Sequence, residues 1–165
     1  MQLGLTIPLQ KFLKMKQPPY GEVMPAFFCW EIHRIPDARR STLIVVNASN
    51  RYALVFSGMT GIDWRHIPEI VVTGVAQALT REGYTDLQVE TYLAAAGEPE
   101  FTKTHGRKSV AGLNRAVEFF YRLEGEYKDD NTLFQSALSH ELNRDLCHAA
   151  GFDTKDYGHP HEYLK

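Results

Sequence analysis

The spacing of apolar and polar positions changes several times along the chain, and each change marks an element. Met1, Leu3 and Leu5 alternate with other residues, as in a short strand. Pro8 suits the first turn of a short helix that puts Leu9, Phe12 and Leu13 on one face, with Lys11 and Lys14 turned away. The run Gln17-Pro18-Pro19-Tyr20-Gly21 blocks regular pairing and predicts a surface loop. Alternation then returns. Phe28, Trp30 and Ile32 form one face of a strand, and Cys29, Glu31 and His33 form a more polar opposite face. Residues 42–46 are apolar on both faces, which predicts the most buried strand. Tyr52, Leu54 and Phe56 alternate again. The intervening turns at 36–40 and 47–51 are short enough to require an antiparallel meander.

Helical spacing dominates the second half. Ile70, Val71, Val75, Ala78 and Leu79 make one stripe over 68–82, stopped by Gly83. Thr85 or Asp86 can cap a second helix that ends near Gly97, although its 89–93 portion is also compatible with an extended run. Residues 99–104 read as an edge strand. Val110, Leu113, Val117 and Phe120 then repeat at helical spacing, with Ser109 as the expected N-cap and Leu123 as the expected end. A polar linker is expected at 125–130. After it, Asn131 would cap a further helix carrying Leu133, Phe134, Ala137, Leu138 and Leu142 inward. The tail after Gly151 is aromatic and bears histidines, and is expected to dock on the body. These elements predict an α+β fold: an antiparallel sheet of four to five strands covered by helices, with a core over 1–125 and a helical extension with a docked tail over 126–165 of the same domain.

Composition adds little that is specific. The 165 residues have a formal net charge of −2, so a nucleic-acid or phosphate partner would be attracted only by a local patch. Cys29 and Cys147 are the only cysteines and lie far apart, which argues against a disulfide framework. Pro8 and Gln10 interrupt the opening residues, so no secretory leader is expected, and no apolar run approaches the length of a membrane span. Together these features predict a cytoplasmic protein without a membrane partner. Oligomeric state is not encoded in any pattern.

The densest cluster of donors and positive charge is Lys103, Thr104, His105, Gly106, Arg107, Lys108 and Ser109. A helix start leaves unpaired N–H groups and a partial positive charge. Gly106 lets a ligand approach the backbone, and Arg107 can grip a phosphate or carboxylate with two N–H groups. Lys103, His105, Arg107, Lys108 and Ser109 are therefore the candidate anion- or partner-binding residues. The spacing of a nucleotide-binding P-loop is absent. The structural reading of the same residues is equally concrete: Ser109 caps, Gly106 turns, and Arg107 pairs with a carboxylate of the tail or a nearby helix. Gly112 within this helix predicts close helix–sheet contact, and Asn114 a bond to a loop backbone.

Other chemistry is less well marked. His140, His148, His159 and His161, with Cys147, Glu141, Asp145, Asp153 and Asp156, crowd the C-terminal region, but without metal-ligand spacing. No metal site and no cofactor is expected. Cys29 lies in an apolar strand and reads as packing, whereas Cys147 reads as the more exposed thiol. Glu31 and His33 share a strand face and are a conceivable acid–base pair. Lys11, Lys14, Lys16, Arg34, Arg39 and Arg40 can be drawn as a basic patch, but Glu22, Glu31 and Asp37 interleave with them.

Three sets of residues carry a resemblance. They are Trp30-Glu31-Ile32-His33; the run Ile44-Val45-Val46-Asn47 with Tyr52 and Val55; and Arg107-Lys108-Ser109-Val110-Ala111-Gly112-Leu113-Asn114. In this order the chain resembles a family of small bacterial and phage proteins of unknown function, over about residues 1–123. The family has an R-S-V-x-G-x-N element, and Lys108 interrupts it here. The resemblance implies a compact α+β fold and a phage or mobile-element setting, and it brings no activity. The sequence favours a non-enzymatic module that binds a protein or nucleic acid through the 103–109 loop. The alternatives are an enzyme acting on a phosphate-bearing substrate with His105 as acid or base, and a structural accessory subunit without a ligand. A concave pocket holding His105 and a carboxylate would favour the enzyme, and a flat surface the binding module.

Overall fold

The computed structural model describes residues 1–37, 41–148 and 157–164. In chain order the elements are β1 (Gln2–Leu5), α1 (Ile7–Phe12), β2 (Cys29–Ile35), β3 (Ser41–Asn47), β4 (Ala53–Met59), α2 (Ile67–Arg81), α3 (Asp86–Ala96), β5 (Glu100–Lys103), α4 (Arg107–Tyr127), α5 (Ser136–Arg144), β6 (Cys147–His148) and β7 (Tyr157–Gly158). The fold is α+β. A five-stranded sheet in the order β4-β3-β2-β1-β5 is accompanied by the small β6-β7 pair.

The strands β2, β3 and β4 form the expected antiparallel meander. The sheet as a whole is mixed, however, because β1 inserts between β2 and β5 and runs parallel to both. Parallel neighbours require long connections. The chain meets this requirement with α1 and the irregular segment 13–28 between β1 and β2, and with the meander and α2–α3 before β5. Strand alternation alone does not report which neighbours a strand takes.

Each face of the sheet carries its own core. Leu3, Leu5, Trp30, Ile32, Leu43, Val45, Leu54 and Phe56 pack with α2 and α3 through Val71, Val75, Leu79 and Val89. On the other face Ile44, Val46, Ala53 and Val55 meet Leu113, Ala116 and Phe120 of α4 and Leu138 and Leu142 of α5. β3 is buried along its whole length, as its two apolar faces predict. On this second face Ile35 at the end of β2 joins the apolar layer, but β1 and the start of β2 do not continue it. They present Gln2, Gly4, Cys29 and Glu31, in register Gln2 with Cys29 and Gly4 with Glu31.

Several boundaries differ from the sequence reading. α3 is helical throughout, and Thr85 caps it in a reciprocal box with Gln88. α4 starts earlier than expected. Gly106, at φ 105°, is its N-cap, and Ser109 is the third helical residue. The positive φ suits glycine and lets the chain turn sharply from the 104–105 loop into the helix. α4 also runs on to Tyr127, through the expected linker. Residues 133–135 are not helical, and α5 begins only at Ser136. Instead, this segment lies along the open edge of β4: Ser57 N–H donates to Leu133 O at 2.9 Å and Gln135 N–H to Val55 O at 2.9 Å. Edge N–H and C=O groups need such cover.

Side chains of α5 continue this cover. Asn143 accepts from Ala53 N–H at 2.6 Å and donates to Ala53 O at 2.7 Å, and Ser139 Oγ accepts from Val55 N–H at 3.0 Å. The tail docks as expected over its described residues: Tyr84 donates to Leu164 O and Asn50 to Tyr163 O. The turn residues Ala38, Arg39 and Arg40 and the candidate ligands Asp153 and Asp156 lie outside the described residues. Asn143→Ala removes both bonds to Ala53 in a buried position. Chemical denaturation should show a loss of about 1–3 kcal/mol, the cost of leaving buried backbone groups unpaired.

Candidate functional site

The break in the apolar layer on β1 and β2 becomes a site because the start of α4 lies over it. Glu31 is fully buried on β2. Its Oε1 accepts from the backbone N–H of His105 at 2.7 Å, from His105 Nδ1 at 3.2 Å and from Ser109 Oγ at 2.5 Å. Its Oε2 makes no hydrogen bond among the described residues and fills the space left by Gly4. A Cβ at Gly4 would lie 2.1 Å from that oxygen and 3.0 Å from both His105 Nδ1 and the Thr104 Cα. The glycine is thus a requirement of close approach.

The second ring nitrogen of His105 also faces an oxygen: Nε2 lies 3.0 Å from Gln2 Oε1. The Gln2 amide is oriented by its other end, where Nε2 donates to Glu22 O at 2.7 Å and to Glu100 Oε1 at 3.1 Å. Two acceptors flanking one imidazole call for two N–H groups, which only the imidazolium has. Burial by itself would lower the pKa of His105. Hydrogen bonds and charge from Cys29 and Glu31 outweigh that and raise it to about 9. The geometry and the raised pKa both favour the protonated ring at neutral pH.

Beside it opens a cavity of about 710 Å³. Gln2, Cys29, His105, Lys103 and Arg107 contribute to its wall, with Asn114 farther along α4 and the segment 20–24 opposite. Lys103 is positioned over the Tyr20 ring, with Nζ 4.3 Å from the centroid. Arg107 is exposed and makes no ion pair among the described residues, so the expected pairing with a tail or helix carboxylate is not seen there.

Residues 2–163 match the family model DUF6933, described as a domain of unknown function. The chain belongs to this family. No curated protein and no solved structure matches it. The family membership agrees with the resemblance to proteins of unknown function, and it covers the C-terminal elements as well. In this DUF6933 chain the site therefore has to be read from its own geometry.

Of the loop residues singled out in the sequence, Lys103, His105 and Arg107 line the cavity. Lys108 is exposed on the first turn of α4 and is not part of its wall. Ser109 is buried and is not the cap. Its hydroxyl serves Glu31 and also donates to Gly106 O at 2.9 Å. Glu31 pairs with His105 and not with His33, which instead meets Thr6 Oγ1 at 2.9 Å and has its pKa lowered by burial and by Arg34. A Cβ at Gly112 would first meet the Arg51 side chain of the β3–β4 turn, at 3.0 Å. Cys147 is buried beside Arg51, contrary to its expected exposure. The C-terminal histidines are dispersed among structural contacts: His140 receives Arg81 Nε, His161 Nδ1 meets Asn143 O, and the His148 ring packs edge-on against Tyr157. No group of three or more metal-ligating side chains occurs among the described residues. No helix among them is long and apolar enough to cross a membrane.

The sequence reading passed over Gln2, Gly4 and the role of Glu31. A signal was present: in β1 and β2 the apolar alternation leaves a glutamine, a glycine and a glutamate on the second face. That signal becomes meaningful only once β1 is known to be central.

Two outcomes are expected. Gly4→Ala displaces the Glu31 carboxylate and should cost about 2–3 kcal/mol in denaturant unfolding, in the range of overpacking. The raised pKa of His105 stabilises the fold fully below its ordinary value of 6.5, and this contribution is lost as pH rises through about 9. The melting temperature should therefore fall more steeply between these values in the wild type than in His105→Gln. Parallel curves would remove the ion pair from the account.

Proposed function

We propose that the DUF6933 chain binds a small molecule bearing a carboxylate or phosphate in the cavity beside α4, and acts on it with His105 as the proton donor. The observation that carries this reading is the imidazolium of His105 on the cavity wall, backed by the buried Glu31 carboxylate and flanked by Lys103 and Arg107. Glu31 neutralises the histidine at one ring nitrogen and fixes its orientation, and the other nitrogen meets Gln2, which lines the cavity with it. Lys103 and Arg107 then supply the charge that attracts an anion, and the positive end of the α4 dipole adds to it. Concavity supports a small ligand over a flat macromolecular contact.

Lys108 and Ser109 are assigned different parts from the other loop residues. Lys108 adds to the field near the mouth, and Ser109 holds Glu31 in place. A second reading, docking of a macromolecule over the same mouth, is supported by the exposed Tyr20 and Val23 beside it.

Titration calorimetry with inorganic phosphate and with succinate tests the proposal. Lys103→Ala combined with Arg107→Ala is expected to weaken binding about 10-fold or more, on the scale of charge-assisted hydrogen bonds, with unfolding unchanged. Equal affinity in the wild type and the double variant would sink the assignment.

A further inference from the structure

The polar face of β1 and β2 also holds a nucleophile that anion binding does not use. Cys29 precedes Glu31 by two residues on β2, so both side chains leave the same face of the strand. Cys29 lines the cavity with His105 and Gln2. Its Sγ donates to Gln2 Oε1 at 3.8 Å, the same oxygen that His105 Nε2 approaches at 3.0 Å. Both groups are thus held within reach of one atom, and Cys29 contributes to the raised pKa of His105. The opposite edge of the imidazole is fixed on Glu31 at 3.2 Å. The order is thiol, imidazole, carboxylate, which is the arrangement of an activated nucleophile, its base and the group that orients the base. Cys147 has no such surroundings: its Sγ lies 4.0 Å from Arg51 Nη1 and 3.5 Å from His148 O.

The geometry points to Cys29 as the nucleophile of an acyl transfer from a small ester or amide that carries an anionic group, with His105 as its acid–base partner and Glu31 as the positioning residue. This rests on the reading of the cavity as an anion site. A thiol beside an acid–base group has the parts that an acyl substrate needs. The α4 start, with Gly106 and Arg107 on the same wall, puts the positive end of the helix beside an oxygen that becomes anionic.

In the first step His105 Nε2 holds the thiol proton, and Sγ attacks the carbonyl carbon. The S–C bond forms, the C–N or C–O bond breaks, and the imidazolium passes its proton to the departing amine or alcohol. In the second step water attacks the thioester carbon and gives a proton to His105. The S–C bond breaks, a carboxylic acid leaves, and the thiol regains its proton. The net change is hydrolysis of one ester or amide by one water.

The test uses the full chain at pH 7 with iodoacetate and iodoacetamide, the modified cysteine being located by peptide mass. Cys29 is expected to react about 10-fold or more faster than Cys147, as thiolates paired with imidazolium do. Iodoacetate should outpace iodoacetamide, and His105→Asn should abolish both advantages. Glu31→Gln should move the pH midpoint of alkylation, a shift that loss of packing alone would not produce. Where that variant does not fold, His105→Asn carries the test.

With p-nitrophenyl succinate the wild type should release a burst approaching one p-nitrophenolate per chain and carry a succinyl group on Cys29, and Cys29→Ser should give no burst. Cys29 reacting no faster than Cys147, or unaffected by His105→Asn, overturns the nucleophile. Fast alkylation without a burst overturns acyl transfer. Neutral iodoacetamide reads the thiol without reference to anion affinity. An inert Cys29 in a chain that still binds phosphate would therefore defeat this inference and leave the anion site standing.

Discussion

A buried carboxylate has to be matched by its surroundings or it costs several kcal/mol, and Glu31 is fully buried at the centre of this molecule. The match comes from three chain segments that are distant in sequence. His105 provides a backbone N–H and a ring N–H, Ser109 provides a hydroxyl, and Gly4 provides the space for the second oxygen. Through these contacts β2, the 104–106 loop and the first turn of α4 are bound to one oxygen atom. The position of α4 at this end of the sheet, and so one wall of the cavity, depends on that carboxylate.

The same arrangement connects the fold to its chemistry. Along β3 and β4 the second face is apolar and closes against α4 and α5. Along β1 and the first part of β2 it is polar, and the N-terminal turn of α4 closes over it, where the Ser109 hydroxyl meets the Glu31 carboxylate. The boundary between the apolar and polar parts of one face sets where the layers pack tightly and where they leave a cavity. Distal contacts hold this boundary still. Glu82 takes Arg144 at 3.0 Å and the Tyr52 hydroxyl at 2.9 Å, which ties α5 to α2 across the edge of the sheet. Asn143 and Ser139 meanwhile occupy the open side of β4.

Most of the elements were legible in the sequence because they depend on local periodicity. The stripe of Val71, Val75 and Leu79, the two apolar faces of β3 and the capping box at Thr85 need no knowledge of distant residues. The loop carrying Lys103, His105 and Arg107 was legible as well, because charge and glycine cluster there. The roles within it were not. Ser109 looks like a cap by residue type, but the helix N-cap is Gly106, so Ser109 lies inside the first turn, where its hydroxyl donates to the buried carboxylate. Glu31 looked like a partner for His33, because within one strand only i and i+2 neighbours can be compared.

What the sequence determined by itself was therefore the set of elements and the α+β class, since hydrophobic alternation and helical stripes are properties of contiguous residues. The tertiary structure decided which strand is central. With β1 between β2 and β5, Gln2 and Gly4 lie beside Cys29 and Glu31, and the parallel register of β5 delivers His105 to the same place. Register and crossover are set by packing between segments up to about a hundred residues apart, where no local pattern acts. The site is assembled at that level.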